Sequence, residues 1–273
     1  METNDIKKNV REAYGNVAQA GSSCCGQSSS ACCSDPAEVL SKNIGYSSEE
    51  LKSVPEGSNL GLGCGNPTAI ASIKEGETVI DLGSGAGFDS FLAAQKVGNS
   101  GKVIGIDMTP PMIDKARANA EKGNHKNVEF RLGEIEHLPA ADNTADLIIS
   151  NCVINLSPEK EKVFKEAWRV LKPGGRMIVS DIVLTEDLPE SVINNIYAYV
   201  SCIAGAVKRD LYIEHIRNAG FQNVEIIDEI SFPLEGFTED DNTNSFMKSI
   251  GLSDEDLEKL AASVKSIRIK AFK

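Results

Sequence analysis

The chain has 273 residues, of which 40 are acidic and 28 basic, giving a formal net charge of −12. An acidic surface repels phosphate backbones, and no Lys/Arg-rich run offers a local exception, so nucleic-acid partners are not expected. No run of eighteen apolar residues could span a bilayer, and the opening METNDIKKNVREAYG lacks the apolar centre of a signal peptide, so no membrane association and a cytoplasmic location are expected.

Residues 5–19 have helical spacing, with Ile6, Val10, Tyr14 and Val17 on one stripe. The run GSSCCGQSSSACCS (21–34) is rich in Ser, Gly and Cys and reads as a tail or loop. Residues 47–65 read as irregular and end in GLGCG. From residue 77 the pattern becomes strand, loop, helix, repeated. TVIDLG (78–83) is a short apolar run closed by a Gly-rich turn, as in a buried parallel strand. A helix at 88–97 and a second strand, KVIGID (102–107), follow. Thr109 as N-cap and Pro110 in the first turn begin another helix. NVEFRLG (127–133) and ADLIISN (145–151) are strands three and four. Ser157 and Pro158 open a helix running to Leu171, which Lys172-Pro173-Gly174-Gly175 stops before a fifth strand, RMIVSD (176–181). Residues 189–219 read as helical. Residues 223–229 and 266–272 are strand candidates, with a partly helical stretch at 253–264 between them.

Alternating strands and helices imply an α/β fold whose mostly parallel sheet has right-handed crossovers. The expected organisation is an N-terminal arm at 1–65, a Rossmann-like nucleotide-binding core at 66–182 and a C-terminal extension at 183–273 over the active edge.

The loop Asp81-Leu82-Gly83-Ser84-Gly85-Ala86-Gly87 lies between a strand and a helix, the context a nucleotide loop requires. Its glycines permit a tight turn and close backbone approach to a ligand. A dinucleotide fingerprint would place Gly at 88, where Phe88 stands, which argues against NAD and FAD. Asp107, at the end of the second strand, can accept hydrogen bonds from both hydroxyls of a ribose. The bland alternative is a structural turn and a solvated carboxylate.

The form D-L-G-S-G-A-G resembles the first motif of class I S-adenosylmethionine methyltransferases, over roughly residues 75–182, and GEIEHLP (133–139) extends the likeness. The resemblance implies S-adenosylmethionine as cofactor, with Asp81, Gly83, Gly85, Gly87, Asp107 and Met108 around it. It places Glu134 and Ile135 beside the adenine and Asn151 near the methionine part. It also implies an antiparallel last strand, which 266–272 could supply.

Seven cysteines are the unusual feature: Cys24, Cys25, Cys32, Cys33, Cys64, Cys152 and Cys202. In an intracellular protein they read as metal-binding or catalytic before they read as disulfides. Cys152 directly follows the fourth strand. It therefore lies on the strand-end edge where open α/β sheets bind ligands, although a free Cys is commonly just a small buried hydrophobe. Cys64 sits in a Gly-rich loop expected to be flexible enough to present a thiol, and Cys202 lies in the helical extension. These spacings are not those of a C-x-x-C zinc pair, so no structural metal is expected. The three thiolates could still converge on one thiophilic centre.

GLGCGNP around Cys64, DLGSGAGFD at 81–89, SNCVINLSP around Cys152, LKPGG at 171–175 and SCIAGA around Cys202 together resemble the arsenite methyltransferases. The resemblance implies that Cys64, Cys152 and Cys202 are the catalytic thiols that bind trivalent arsenic. It also implies that the first can pair with an N-terminal cysteine, for which Cys32 or Cys33 is preferred to Cys24 or Cys25. The cysteine pairs could equally be a delivery tail, an accessory metal site or a plain disordered tail. The substrates implied are arsenite and methylarsenite, with a glutathione or thioredoxin-like thiol as reductant. The chemistry is coherent by itself. Trivalent arsenic bound by thiolates keeps a lone pair that can attack an electrophilic methyl, so no general base is needed. His125, His137 and His215 accordingly read as structural or surface groups. Two other readings stay open: a quinone-type C-methyltransferase, which leaves the cysteine trio unexplained, and a non-enzymatic metalloid-binding protein, which leaves the Gly-rich loop unexplained.

Overall fold

A computed structural model describes residues 3–20, 36–188, 190–193, 196–200, 202–231 and 262–273. Cys24, Cys25, Cys32 and Cys33, and all but the end of 253–264, fall outside the described residues. The apolar runs become β1 (Thr78–Leu82), β2 (Lys102–Asp107), β3 (Val128–Leu132), β4 (Ala145–Asn151), β5 (Leu171–Leu184), β6 (Gln222–Ser231) and β7 (Val264–Phe272). They form one sheet in the order β3-β2-β1-β4-β5-β7-β6. The first five strands pair in parallel, and β7 runs antiparallel to both β5 and β6. The C-terminal extension is thus part of the sheet that holds the core, and β5 is far longer than the six residues expected.

Successive side chains of a strand point to opposite faces, and here both faces are covered. Ile80, Leu82, Ile148 and Val179 pack with Val163, Phe164, Tyr212 and Ile216. Those partners lie on the helices Lys160–Val170 and Arg209–Asn218. Val79, Leu147, Ile149 and Ile178 pack on the other face with Ala93, Ala94 and Val97. Burial on both faces explains why these strands read as continuous apolar runs instead of alternating ones.

The helices are α1 (Thr3–Ala20), α2 (Pro36–Asn43), α3 (Ser48–Ser53), α4 (Pro67–Ile70), α5 (Phe88–Val97), α6 (Pro110–Lys122), α7 (Lys160–Val170), α8 (Glu190–Ile193), α9 (Ile196–Val200) and α10 (Arg209–Asn218). The stretch 47–65 is less irregular than expected. Ser47 and Glu50 close a capping box that starts α3, so a polar signal of four residues outweighs weak periodicity. Helix α7 begins two residues later than Ser157-Pro158 suggests. Ser157 spends its hydroxyl on Glu136 at 2.5 Å, following a short 3-10 turn at Ile154–Leu156. The helical run expected over 189–219 is broken into α8, α9 and α10. On α1, Ile6 and Val10 are buried while Val17 is exposed, so only part of the predicted stripe faces the core.

The order of strand succession reverses between β1 and β4, although the two strands run parallel. The crevice outside the carboxyl ends of those two strands is where an open α/β sheet receives its ligand. The Gly-rich loop leaves β1 there, and Cys152 leaves β4 beside it.

Candidate active site

Gly83 and Gly85 have φ of 67° and 52°, in the left-handed region that glycine enters without a Cβ penalty. The backbone N–H groups of Gly83 and Ser84 both donate to the carbonyl of Ile106, at 2.8 and 3.0 Å, which ties the loop to the end of β2. A Cβ on Gly83 would sit 2.0 Å from Val153 Cγ2, whereas one on Gly85 would meet nothing within 4 Å. Gly83 is therefore closed by packing, and Gly85 faces open space. Asp107 accepts Gly85 N–H at 3.0 Å and Thr109 N–H at 2.8 Å, and burial holds its carboxyl above the usual range.

These groups line a cavity of about 1070 Å³, its open mouth included. Asp81, Gly83, Gly85, Asp107, Met108, Ile135, Asn151 and Cys152 all contribute to the wall. Gly87 instead caps α5. Glu134 is also absent from the lining. It turns to Lys7 and Arg11 of α1, at 2.8 and 3.3 Å, and the Lys7 hydrogen bond holds its carboxyl below the usual range. The buried Glu136 lines the cavity, bonded to Ser157 and 3.2 Å from Lys7. After β3 the chain turns at residues 135–136, which brings Ile135 and Glu136 to the cavity and leaves Glu134 against α1.

Asp89 is a further wall residue that sequence reasoning passed over. Tyr46 donates to it at 2.6 Å and Asn151 at 3.0 Å, and burial raises its carboxyl to about 6. Asp81 accepts Ser90 Oγ at 2.6 Å, and burial raises it as well. The only advance signal is an Asp in the first turn of the helix after the Gly-rich loop. Four carboxylates around one cavity favour a cationic ligand. S-adenosylmethionine, with its sulfonium and ammonium charges, its ribose diol for Asp107 and its need for the open face at Gly85, fits these residues.

Behind the cavity lie the three thiols, unpaired and buried, with 1% exposure at Cys64, 6% at Cys152 and 3% at Cys202. Cys152 is in the middle. Hydrogen bonding with Cys202 and then with Cys64, together with burial, holds its thiol well above the usual range. Burial raises Cys64 too. Cys202 Sγ donates to the Cys152 carbonyl at 2.9 Å. Cys152 and Cys202 have φ of 58° and 64°, uncommon for residues with a Cβ and costing on the order of 1–3 kcal/mol each. Strain of this kind concentrates at functional positions. Cys64 and Cys152 also share their surroundings with Asp181: a carboxylate oxygen and the two Sγ atoms lie within 4.8 Å of one another.

The Cys64 loop is not the pliable segment its glycines suggest. Cys64 N–H donates to Asn151 Oδ1 at 3.0 Å, and Ser266 Oγ donates to the Cys64 carbonyl at 2.8 Å. A Cβ on Gly63 would lie 2.6 Å from Asn151 Nδ2, and one on Gly65 would lie 2.9 Å from Ser180. These glycines serve close packing, and the thiol is held in place. Tyr14 of α1 covers the cage, donating to the Val200 carbonyl at 3.2 Å, and burial raises its phenol well above the usual range.

Comparison with known proteins agrees with this architecture. A family described as "Methyltransferase domain" matches residues 73–232. An arsenite methyltransferase of Halobacterium salinarum is 50% identical over 229 residues, covering 81% of this chain and 59% of the relative. The human arsenite methyltransferase is 35% identical, covering 74% of this chain and 54% of its own length. The chain thus spans a little over half the length of these relatives. The crystal structure of CrArsM, an arsenic(III) S-adenosylmethionine methyltransferase from Chlamydomonas reinhardtii, superposes with a TM-score of 0.64 at 33% identity. That match covers 87% of this chain and 74% of the other. With a class I methyltransferase fold and this likeness along most of its length, the chain belongs to the arsenite methyltransferase family.

Proposed function

We propose that the chain transfers a methyl group from S-adenosylmethionine to trivalent arsenic bound by Cys64, Cys152 and Cys202. The observation that carries this reading is the convergence of three distant thiols at the end of β4, with Cys152 opening into the cavity of the Gly-rich loop. S-adenosylmethionine supplies an electrophilic methyl on a sulfonium. Asp107 offers its carboxylate to the ribose, Gly85 gives the backbone room to approach, and Asp89, ionised above about pH 6, balances the ligand's positive charge. Asn151 joins the two halves. Its amide nitrogen donates to Asp89 and to the Gly65 carbonyl, and its oxygen accepts from Cys64. Arsenite exchanges its three hydroxyls with three thiols, whose protons leave with the hydroxyls as three waters, and arsenic stays neutral with its lone pair. The protein contributes chiefly alignment and a dry cage. Helix α1 closes that cage through Lys7 and Tyr14.

The arm at 1–65, the core at 66–182 and the extension at 183–273 then contribute the cover, the cofactor site and the last thiol. Reduced thiols suit a cytoplasmic location, and no helix among the described residues is long and apolar enough to cross a membrane. Because the methylated product is formally oxidised, a thiol reductant such as glutathione or a thioredoxin-like protein resets the trivalent state. Cys32 or Cys33 is the candidate exchange thiol. The test is direct: protein, arsenite, thiol and S-adenosylmethionine are incubated together and arsenic species are separated by chromatography. Methylated arsenic is expected. Its absence, with both ligands shown to bind by calorimetry, would leave a binding protein and end the methyltransferase reading.

A further inference from the structure

Asp181 has no part in the chemistry above. It is fully buried on β5, beside two of the thiols. Ile182 N–H and Asn155 Nδ2 each donate to its Oδ1 at 2.9 Å, and Tyr212 O–H donates to its Oδ2 at 2.9 Å. The carboxylate is therefore held by three donors, one from its own strand and two from neighbouring segments. Arsenite is neutral, and three sulfurs satisfy its valences, so it gains nothing from this group. The Asp181 charge in fact opposes thiolate formation at Cys64. Two sulfurs and a rigid carboxylate oxygen in one buried cluster match a different class of ligand, a doubly charged ion that accepts soft and hard donors together.

We propose that Cys64, Cys152 and Asp181 form a binding site for a divalent thiophilic cation of the zinc class, overlapping the arsenic cage but using a different ligand set. Zinc bonds of about 2.3 Å to sulfur and about 2.0–2.2 Å to oxygen, arranged tetrahedrally, separate sulfur from sulfur by about 3.8 Å and sulfur from oxygen by about 3.5 Å. The donor atoms here lie within 4.8 Å of one another, so the two cysteine side chains draw in by about 1 Å around a fixed carboxylate. Binding forms two Zn–S bonds and one Zn–O bond. It releases the two thiol protons to solvent, changes no oxidation state and leaves the fourth position to water. Cys202 stays outside, its S–H directed to the Cys152 carbonyl. Arsenic takes Cys64, Cys152 and Cys202, while the cation takes Cys64, Cys152 and Asp181. The two ligands therefore exclude each other.

The experiment uses the full chain with Cys24, Cys25, Cys32 and Cys33 changed to Ser, so that only the buried thiols can bind. Calorimetry with zinc chloride should show one ion per chain, and zinc-loaded protein should fail to take up arsenite. Asp181→Asn should weaken zinc at least 30-fold and change arsenite affinity less than threefold. Cys202→Ser should do the reverse. Loss of zinc on Cys202→Ser with retention on Asp181→Asn would overturn the assignment, as would no zinc binding tighter than millimolar. X-ray absorption of the zinc-loaded parent needs no Asp181 variant. A shell of two sulfurs and two oxygens is expected, and three sulfurs would overturn the proposal. Binding of zinc does not depend on methyl transfer, so a chain that fails the methylation assay still tests this site.

Discussion

The two halves of the strand-end crevice are built differently. The working groups of the cofactor half, backbone N–H donors and carboxylates around an open cavity, come largely from residues 81–109, a contiguous strand, loop, helix and strand. The thiol half gathers Cys64, Cys152, Asp181, Cys202 and Ser266 from five separated segments and shuts them away from solvent. The first half is shaped for a charged, hydrated ligand that must enter and leave. The second is shaped for a small soft atom held by a few strong bonds. Asn151 joins them, so the halves are mechanically coupled although their chemistries are separate.

The sharpest way to break that division is Cys152→Ser. Methylation of both arsenite and methylarsenite should fall by more than about 10³-fold, the order seen when a reaction loses a group it cannot do without. Serine keeps the shape but is a poor ligand for a soft centre, so cofactor affinity, read by calorimetry, should not change. Near-normal turnover would place the chemistry outside the thiol half.

Cys64→Ser cuts within the thiol half. Arsenite can bind three thiolates, whereas methylarsenite already spends one valence on carbon and can bind two. Cys152 and Cys202 touch directly, so that pair should suffice for methylarsenite. Arsenite methylation should fall about 100-fold, the order for losing one preorganised interaction at a reacting centre, while methylarsenite turnover stays within about threefold. Equal loss on both substrates at an unchanged melting temperature would refute the bond count.

Asp107→Ala addresses the other half. It should weaken S-adenosylmethionine by about 1.5–3 kcal/mol, the range for hydrogen bonds to a charged group, and leave arsenite binding in place. Calorimetry giving an unchanged cofactor affinity would remove Asp107 from the ribose role.

The same contrast explains what could be read in advance. The cofactor half was legible because its groups are neighbours in sequence: Gly83, Gly85 and Asp107 follow from one strand-loop-helix-strand pattern. The sheet was legible for a similar reason, since strands buried on both faces appear as unbroken apolar runs. Asp181 and Glu136 were not legible. A buried carboxylate looks like any other Asp or Glu until the fold supplies Tyr212, Asn155 or Ser157 beside it. The glycines flanking Cys64 misled for a related reason, because their tight packing depends on Asn151 and Ser180, both distant in sequence.

The smallest expected effect concerns Asp181 itself and the cost of keeping a carboxylate in the thiol half. Burial raises its pKa from 3.8 to about 6. The folded state therefore holds the proton more tightly than the unfolded chain does. Between about pH 4 and pH 6 the native protein binds more protons, so stability contributed by this group falls as pH rises through that window and is level above it. Asp181→Asn removes the titration while keeping the local geometry. An amide oxygen in the Oδ1 position still accepts from Ile182 N–H and Asn155, and Tyr212 O–H can turn to accept from the new amide nitrogen. The buried Lys160 lies near enough to stabilise the charge, and its own pKa is lowered by burial to about 8, so it remains mostly protonated across the window and offsets only part of the cost. Relative to the parent, the Asn chain should gain on the order of 1–2 kcal/mol between pH 4.5 and pH 7.5, from a shift of about two units at 1.36 kcal/mol each less some relaxation. Urea unfolding of both chains at the two pH values measures this difference, and every group the chains share cancels from it. A flat difference would mean that Asp181 titrates like a solvated carboxylate, and a loss instead of a gain would mean that its charge is an asset to the fold, matched by Lys160.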